Sequence, residues 1–226
     1  MDKKLINVSK IGSDHTFNGV NKQDFGIAFR NVKISLDGCS SGKFSDIGVG
    51  LFAQALSKRE DITADNFDKI VDEEMRRLVT GLHFNDQDLF ENFCFTIIAC
   101  IETDTDFVVF SCGDGYVFKI TQDDKLEILD LDREYNNFPP YYVYNLIKPE
   151  HLSDYKDGVG FIVRNFPKEK YRNIGVGSDG YRFTENLDNA ERVRFEEALI
   201  AGKPGRIGQI INRNAVLFKD DITIVL

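Results

Sequence analysis

The order of hydrophobic patterns along the chain predicts an α+β fold built on antiparallel sheets. Extended stretches come first, two amphipathic helices follow, four short strands occupy the middle, and two further helices precede a terminal strand. No regular alternation of strand and helix runs through this order, as a parallel sheet would require. The middle strands are separated by short turns of Asp, Thr and Gly or by Asp-Asp-Lys, which suit antiparallel neighbours.

Residues 5–11 and 24–36 read as extended; in the latter, Val32, Ile34 and Leu36 alternate with Lys33 and Ser35, the pattern of a half-buried strand. Phe44, Ile47, Gly48, Leu51, Phe52, Ala55 and Leu56 recur three and four apart and predict a helix over 45–58. A second helix is expected over 64–80, with Thr63 as N-cap, Asp65 in its first turn and Phe67, Ile70, Val71, Met75 and Leu78 as its apolar stripe. Strands are expected at 93–102, 107–112, 116–120 and 126–131. The segment 135–154 carries Pro139-Pro140 and four tyrosines and has no readable period. Extended segments return at 159–165 and 173–178, helices at 189–201 and 204–212, and a strand at 222–226. With no repeat, low-complexity tract or linker, residues 1–226 read as a single domain.

The chain has 226 residues and a formal charge of −9, which argues against nucleic acid and anionic membrane as partners. Its apolar runs fall short of the roughly 20 residues of a spanning helix, and its first residues lack the apolar core of a secretory leader. A cytoplasmic protein is expected. Cys39, Cys94, Cys100 and Cys112 have no zinc-type spacing and are too scattered for a disulfide framework, and Cys94 and Cys100, six apart in an apolar segment, are expected to be buried free thiols.

The chemistry is carried by acidic residues at strand ends: Asp24, Asp37 before Gly38, Asp114 after Gly113, Asp179 before Gly180, and Asp220-Asp221 before the last strand. A strand end followed by Gly lets carboxylate and backbone turn toward one point, and several of them together favour a hard-cation site of oxygen ligands. Other chemistries fit less well. Residues 38–44 look like a phosphate loop but have three residues between the glycines where four are needed, and Phe44 stands at the magnesium-binding Ser/Thr position. An aspartyl-phosphate enzyme built on Asp37 would want a second Asp where Cys39 stands, and His15, His83 and His151 show no triad signature.

Gln23-Asp24, Asp37-Gly38 through Gly42, Gly113-Asp114-Gly115, Gly177-Ser178-Asp179-Gly180 and Asp220-Asp221-Ile222-Thr223 stand in the order and approximate spacing of the motifs of the protein phosphatase 2C family. The chain resembles the bacterial branch of these metal-dependent Ser/Thr phosphatases over residues 12–226. The resemblance implies a four-layer α-β-β-α sandwich of two antiparallel sheets flanked by helices. It also implies two Mn2+ or Mg2+ ions, bridged by a water that attacks the phosphorus of a phosphoprotein, itself the product of a Ser/Thr kinase. By the same resemblance Asp37 bridges the ions and Gly38 lends its carbonyl, Asp179 and Asp220 complete the second ion, Asp24 holds a metal-bound water, and Asp114 holds a third, weaker ion.

Three departures accompany the match. The family's phosphate-gripping Arg, five residues before Asp24, is Gly19 here; Cys39 follows Gly38 where a nearby His is common; and Phe183 replaces a further acidic ligand, so a third ion is expected to be weak or absent. His15, Lys22 and Lys43 are the candidates to fill the missing roles. Asp221, where the family often has Asn, is expected to matter less to turnover than Asp37 or Asp179. The rival implication is a phosphatase-like binding module with little or no turnover.

Overall fold

The computed structural model describes residues 5–132, 135 and 139–226; the charged start of the chain, residues 1–4, on which part of the leader argument rests, lies outside them. Two five-stranded antiparallel sheets pack face to face. One runs β1 (Asn7–Lys10), β10 (Ile222–Val225), β9 (Tyr171–Gly177), β6 (Tyr116–Thr121), β7 (Leu126–Asp130); the other runs β2 (Asp24–Phe29), β3 (Val32–Gly38), β4 (Phe95–Glu102), β5 (Asp106–Cys112), β8 (Ile162–Pro167). Helices α2 (Ser45–Ser57) and α3 (Phe67–Leu82) cover the second sheet, and α5 (Asn189–Ile200) and α6 (Pro204–Arg213) cover the first. These are the four layers that the resemblance implies.

Burial follows from side-chain alternation in the strands. Along β4, Phe95, Ile97, Ala99 and Ile101 face the helices while Ile98 and Cys100 face the other sheet, so the strand is apolar throughout. In β3 the expected alternation holds, but the polar face is not open to water: Lys33 and Ser35 are buried between the sheets. The Lys33 ammonium donates to Asn173 Oδ1 at 2.5 Å and to the Ile174 carbonyl at 2.6 Å in β9, which satisfies a cation that burial would otherwise penalise.

Several elements differ from expectation. The extended stretch 24–36 is a hairpin whose turn places Arg30 at φ 50°. Two short helices are new, α1 (Ser13–Asn18) and α4 (Asp86–Phe93). Each spans too few turns to display a period, although α4 carries a capping box in which Asn85 and Asp88 satisfy one another's backbone N–H groups. Phe93 closes that helix, so the strand expected from residue 93 starts at Phe95. In the segment without a period, 3-10 turns at Tyr142–Leu146 and Pro149–His151 bury Tyr142 and Tyr144, which stack on Phe161 and Tyr155.

Helix α2 crosses α4 at Gly48, where an added Cβ would run into the Asn92 carbonyl, whereas Gly50, two residues on, faces open space. Gly48→Ala should therefore destabilise the fold by about 1–3 kcal/mol or more through overpacking. Gly50→Ala should stabilise it by about 0.5–1 kcal/mol through helix propensity. Urea denaturation of the two variants reads both signs; equal effects would contradict the packing described.

Candidate active site

Antiparallel pairing brings the acidic strand ends to one edge of the sandwich. Asp24 at the start of β2 lies directly across from Asp37 near the end of β3, and Asp37 in turn lies across from Thr96 of β4. After β5 the chain turns through Gly113 (φ 104°) and Gly115 (φ 130°), conformations that an L side chain resists, and this turn carries Asp114. Because β10 pairs antiparallel with β9, the residues before β10 meet those after β9, bringing Asp220 beside Asp179. The Asp179 N–H donates to Asp37 Oδ2 at 3.3 Å and links the two sheets.

These residues surround a cavity of about 240 Å³ lined by Asp37, Gly38, Asp114, Asp179 and Asp220, together with Asp132, Arg182, Thr96, Tyr141, Cys39, Ser40 and Pro139. Of the residues to which the resemblance gives a metal or water role, Asp24 alone does not line it. It is 1% exposed, sits behind Asp37, and its Oδ2 has no hydrogen-bond partner.

The electrostatics is that of a site short of positive charge. Burial, reinforced by the Asp221 and Asp220 charges, raises the Asp24 carboxyl to about 7. Burial, then the charges of Asp24 and Asp114, holds Asp37 well above the ordinary carboxylate range, so the two behave as one proton-sharing pair. Asp114 is raised by burial and then by Asp132. Crowded carboxylates with an orphaned buried oxygen fit a divalent cation that prefers oxygen donors, of the Mg2+ or Mn2+ kind.

Asp221 turns away from the cavity and is buried. Its Oδ1 accepts the Gly12 N–H at 2.8 Å and the His15 Nδ1–H at 3.0 Å, and its Oδ2 accepts the Gln23 N–H at 2.5 Å. It thereby ties α1 and the start of β2 to β10, while His15 Nε2 stands 3.6 Å from Asp220. Lys22 donates to Ser9 Oγ and lies over Phe25, Lys43 lies over Phe44, and neither lines the cavity. Phe183 does not wall the cavity either: it packs on the cluster beneath α5 and α6, and its neighbour Arg182 lines the cavity. Asp132 and Arg182 carried no motif, and only the tertiary structure brings them here. Burial pushes the Cys94 and Cys112 thiols up to about 12, far from thiolate chemistry.

Residues 11–201 match the profile of the family described as Protein phosphatase 2C. Among solved structures, the chain is similar to the serine/threonine phosphatase Stp1 from Staphylococcus aureus, at a TM-score of 0.66 and 15% identity, covering 100% of this chain and 94% of that one. It is also similar to the catalytic domain of the serine threonine protein phosphatase PstP in complex with 2 manganese ions, at a TM-score of 0.65 and 14% identity, covering 98% of this chain and 96% of that one. At these identities the likeness is one of fold. No curated protein matches the chain by sequence.

The raised carboxyls set a pH dependence for the metal-free protein. Above the ordinary value of 3.8 the unfolded chain releases a proton that folded Asp24 keeps up to about 7. The folded state then holds more protons, and its stability declines as pH rises through that window. The melting temperature of chelated protein should fall by roughly 5–10 °C between pH 5 and pH 8, and Mn2+ should restore it most at pH 8. A chelated protein that melts higher at pH 8 than at pH 5 would contradict this electrostatic picture.

Proposed function

The chain belongs to the protein phosphatase 2C family, and we propose that it is a metal-dependent protein serine/threonine phosphatase that hydrolyses phosphomonoesters without a covalent intermediate. The observation that carries the reading is the cavity itself: five carboxylates line it, and a sixth, Asp24, is buried behind them with an unpartnered oxygen. In this reading Asp37 with the Gly38 carbonyl, Asp179 and Asp220 would hold two divalent ions, and Asp114 with Asp132 would offer a third only a weak hold. Two divalent ions, Mn2+ or Mg2+, would supply neutralisation of phosphate charge and acidification of the attacking water. Asp24, with its unpartnered buried Oδ2, would hold a metal-bound water. The Asp221 carboxylate keeps the backbone at Gly12 and Gln23 in place, which fixes where Asp24 enters the site.

The substrate in this reading is a phosphoprotein produced by a Ser/Thr kinase. Among the described residues no helix is long and apolar enough to cross a membrane, and we place the catalytic domain, all of residues 1–226, in the cytoplasm. A second reading, a binding module that keeps the fold with little or no turnover, is favoured by Gly19, which stands in the family's Arg position exposed at φ 66° with no neighbour within 4 Å of its Cβ direction.

Hydrolysis of p-nitrophenyl phosphate decides between them. Turnover should require added Mn2+ or Mg2+, disappear on chelation, survive alkylation of the native protein by N-ethylmaleimide, and fall roughly a hundredfold or more in Asp37→Asn, because several kcal/mol of charge stabilisation depends on the ions. Robust turnover under exhaustive chelation would rule out the mechanism. Metal binding without turnover would establish the binding module.

A further inference from the structure

Arg182 is the one basic side chain that lines the cavity among the described residues, against Asp37, Asp114, Asp132, Asp179 and Asp220. A phosphomonoester dianion entering such a site needs a directional cation as well as metal charge, and the family's usual position for it holds Gly19. The three cationic candidates named in the sequence are engaged elsewhere: Lys22 on Ser9, Lys43 over Phe44, His15 on Asp221. We propose that Arg182 is the phosphate-binding residue of this enzyme. The inference rests on the phosphatase reading above.

The local backbone explains its placement. Asp179 opens a 3-10 helix, Asp179–Asn186, in which residues three apart eclipse one another. Arg182 therefore stands over Asp179 and pairs with it through Nη2, while its Nε donates to the Asp179 carbonyl at 3.3 Å. Nη1 has no partner among the described residues. The same register sends Phe183 to the opposite side, into the cluster beneath α5 and α6. Arg182 also lines the adjoining cleft of about 420 Å³, which leaves its guanidinium room to move. Its tie to Asp179 runs through Oδ2; a divalent ion held on that oxygen would compete with the guanidinium and free a planar fork suited to two phosphate oxygens.

The experiment uses the full chain in Mn2+, with inorganic phosphate as the probe. Phosphate binding is measured by calorimetry and by competition against p-nitrophenyl phosphate, and Mn2+ affinity is measured separately. Arg182→Ala should weaken inorganic phosphate and raise KM by roughly tenfold or more, the size of a charge-assisted hydrogen bond, with Mn2+ affinity equal or tighter. Arg182→Lys should recover only part, because it keeps the charge and loses the fork. Should Arg182→Ala melt early, Arg182→Gln and Arg182→Lys carry the comparison. Unchanged phosphate affinity, or loss of Mn2+ binding as the main effect, overturns the inference and leaves Arg182 as a support for Asp179. Wild-type turnover with Arg182-independent phosphate binding sinks this inference alone. Arg182-dependent phosphate binding without turnover sinks the phosphatase reading alone. Wild-type protein in Mn2+ that binds no phosphate sinks both.

Discussion

Asp24 and Asp37 face each other on adjacent antiparallel strands, in a place where neither can be fully hydrated and both cannot be charged without an added cation. The pair is the constraint around which the rest of the edge is organised. Burial and mutual repulsion favour a shared proton, and four further carboxylates, Asp114, Asp132, Asp179 and Asp220, sharpen the deficit of positive charge. The fold tolerates this concentration of charge because the surrounding backbone is tightly determined. Asp221 collects two backbone N–H groups and His15, and Gly180 and Gly12 let the backbone around Asp220 and Asp221 approach more closely than a Cβ would permit.

That rigidity has its source in the sandwich. Strand β4 is buried on both faces, and the sheets are tied across the core by Lys33 of β3, whose bonds to Asn173 and Ile174 set the spacing of β3 and β9. The chain has no Trp, and its large core volumes are filled by Phe: Phe52, Phe67, Phe93, Phe95, Phe107, Phe118, Phe195 and Phe218 are fully buried. Interlocking rings at 5–6 Å, such as Phe52 with Phe95 and Phe67 with Phe110, give the helical layers a fixed seat on their sheets. A site whose carboxylates must converge within a few ångström needs such a frame, since a small sliding of one sheet over the other would separate Asp37 from Asp179.

Charge at this edge is balanced locally. Arg182 places a cation next to Asp179, and the Asp132 charge acts on Asp114. Both partners come from elements other than the strands whose ends carry Asp24 and Asp37.

Much of the architecture was legible in the chain because it is written in local periods. Helices α2 and α3, the run of strands through the middle and the closing strand each show the spacing their geometry demands, and Asp-Gly at strand ends marked Asp37, Asp114 and Asp179. Short helices such as α1 and α4 stay silent because one or two turns make no period, and the buried polar face of β3 looked solvated because only the second sheet covers it. Asp132, Arg182 and the clamp at Asp221 belong to the tertiary structure alone. Their meaning lies in distances between residues up to 209 positions apart, as between Gly12 and Asp221, and no local pattern encodes which loops antiparallel pairing will bring to the same edge.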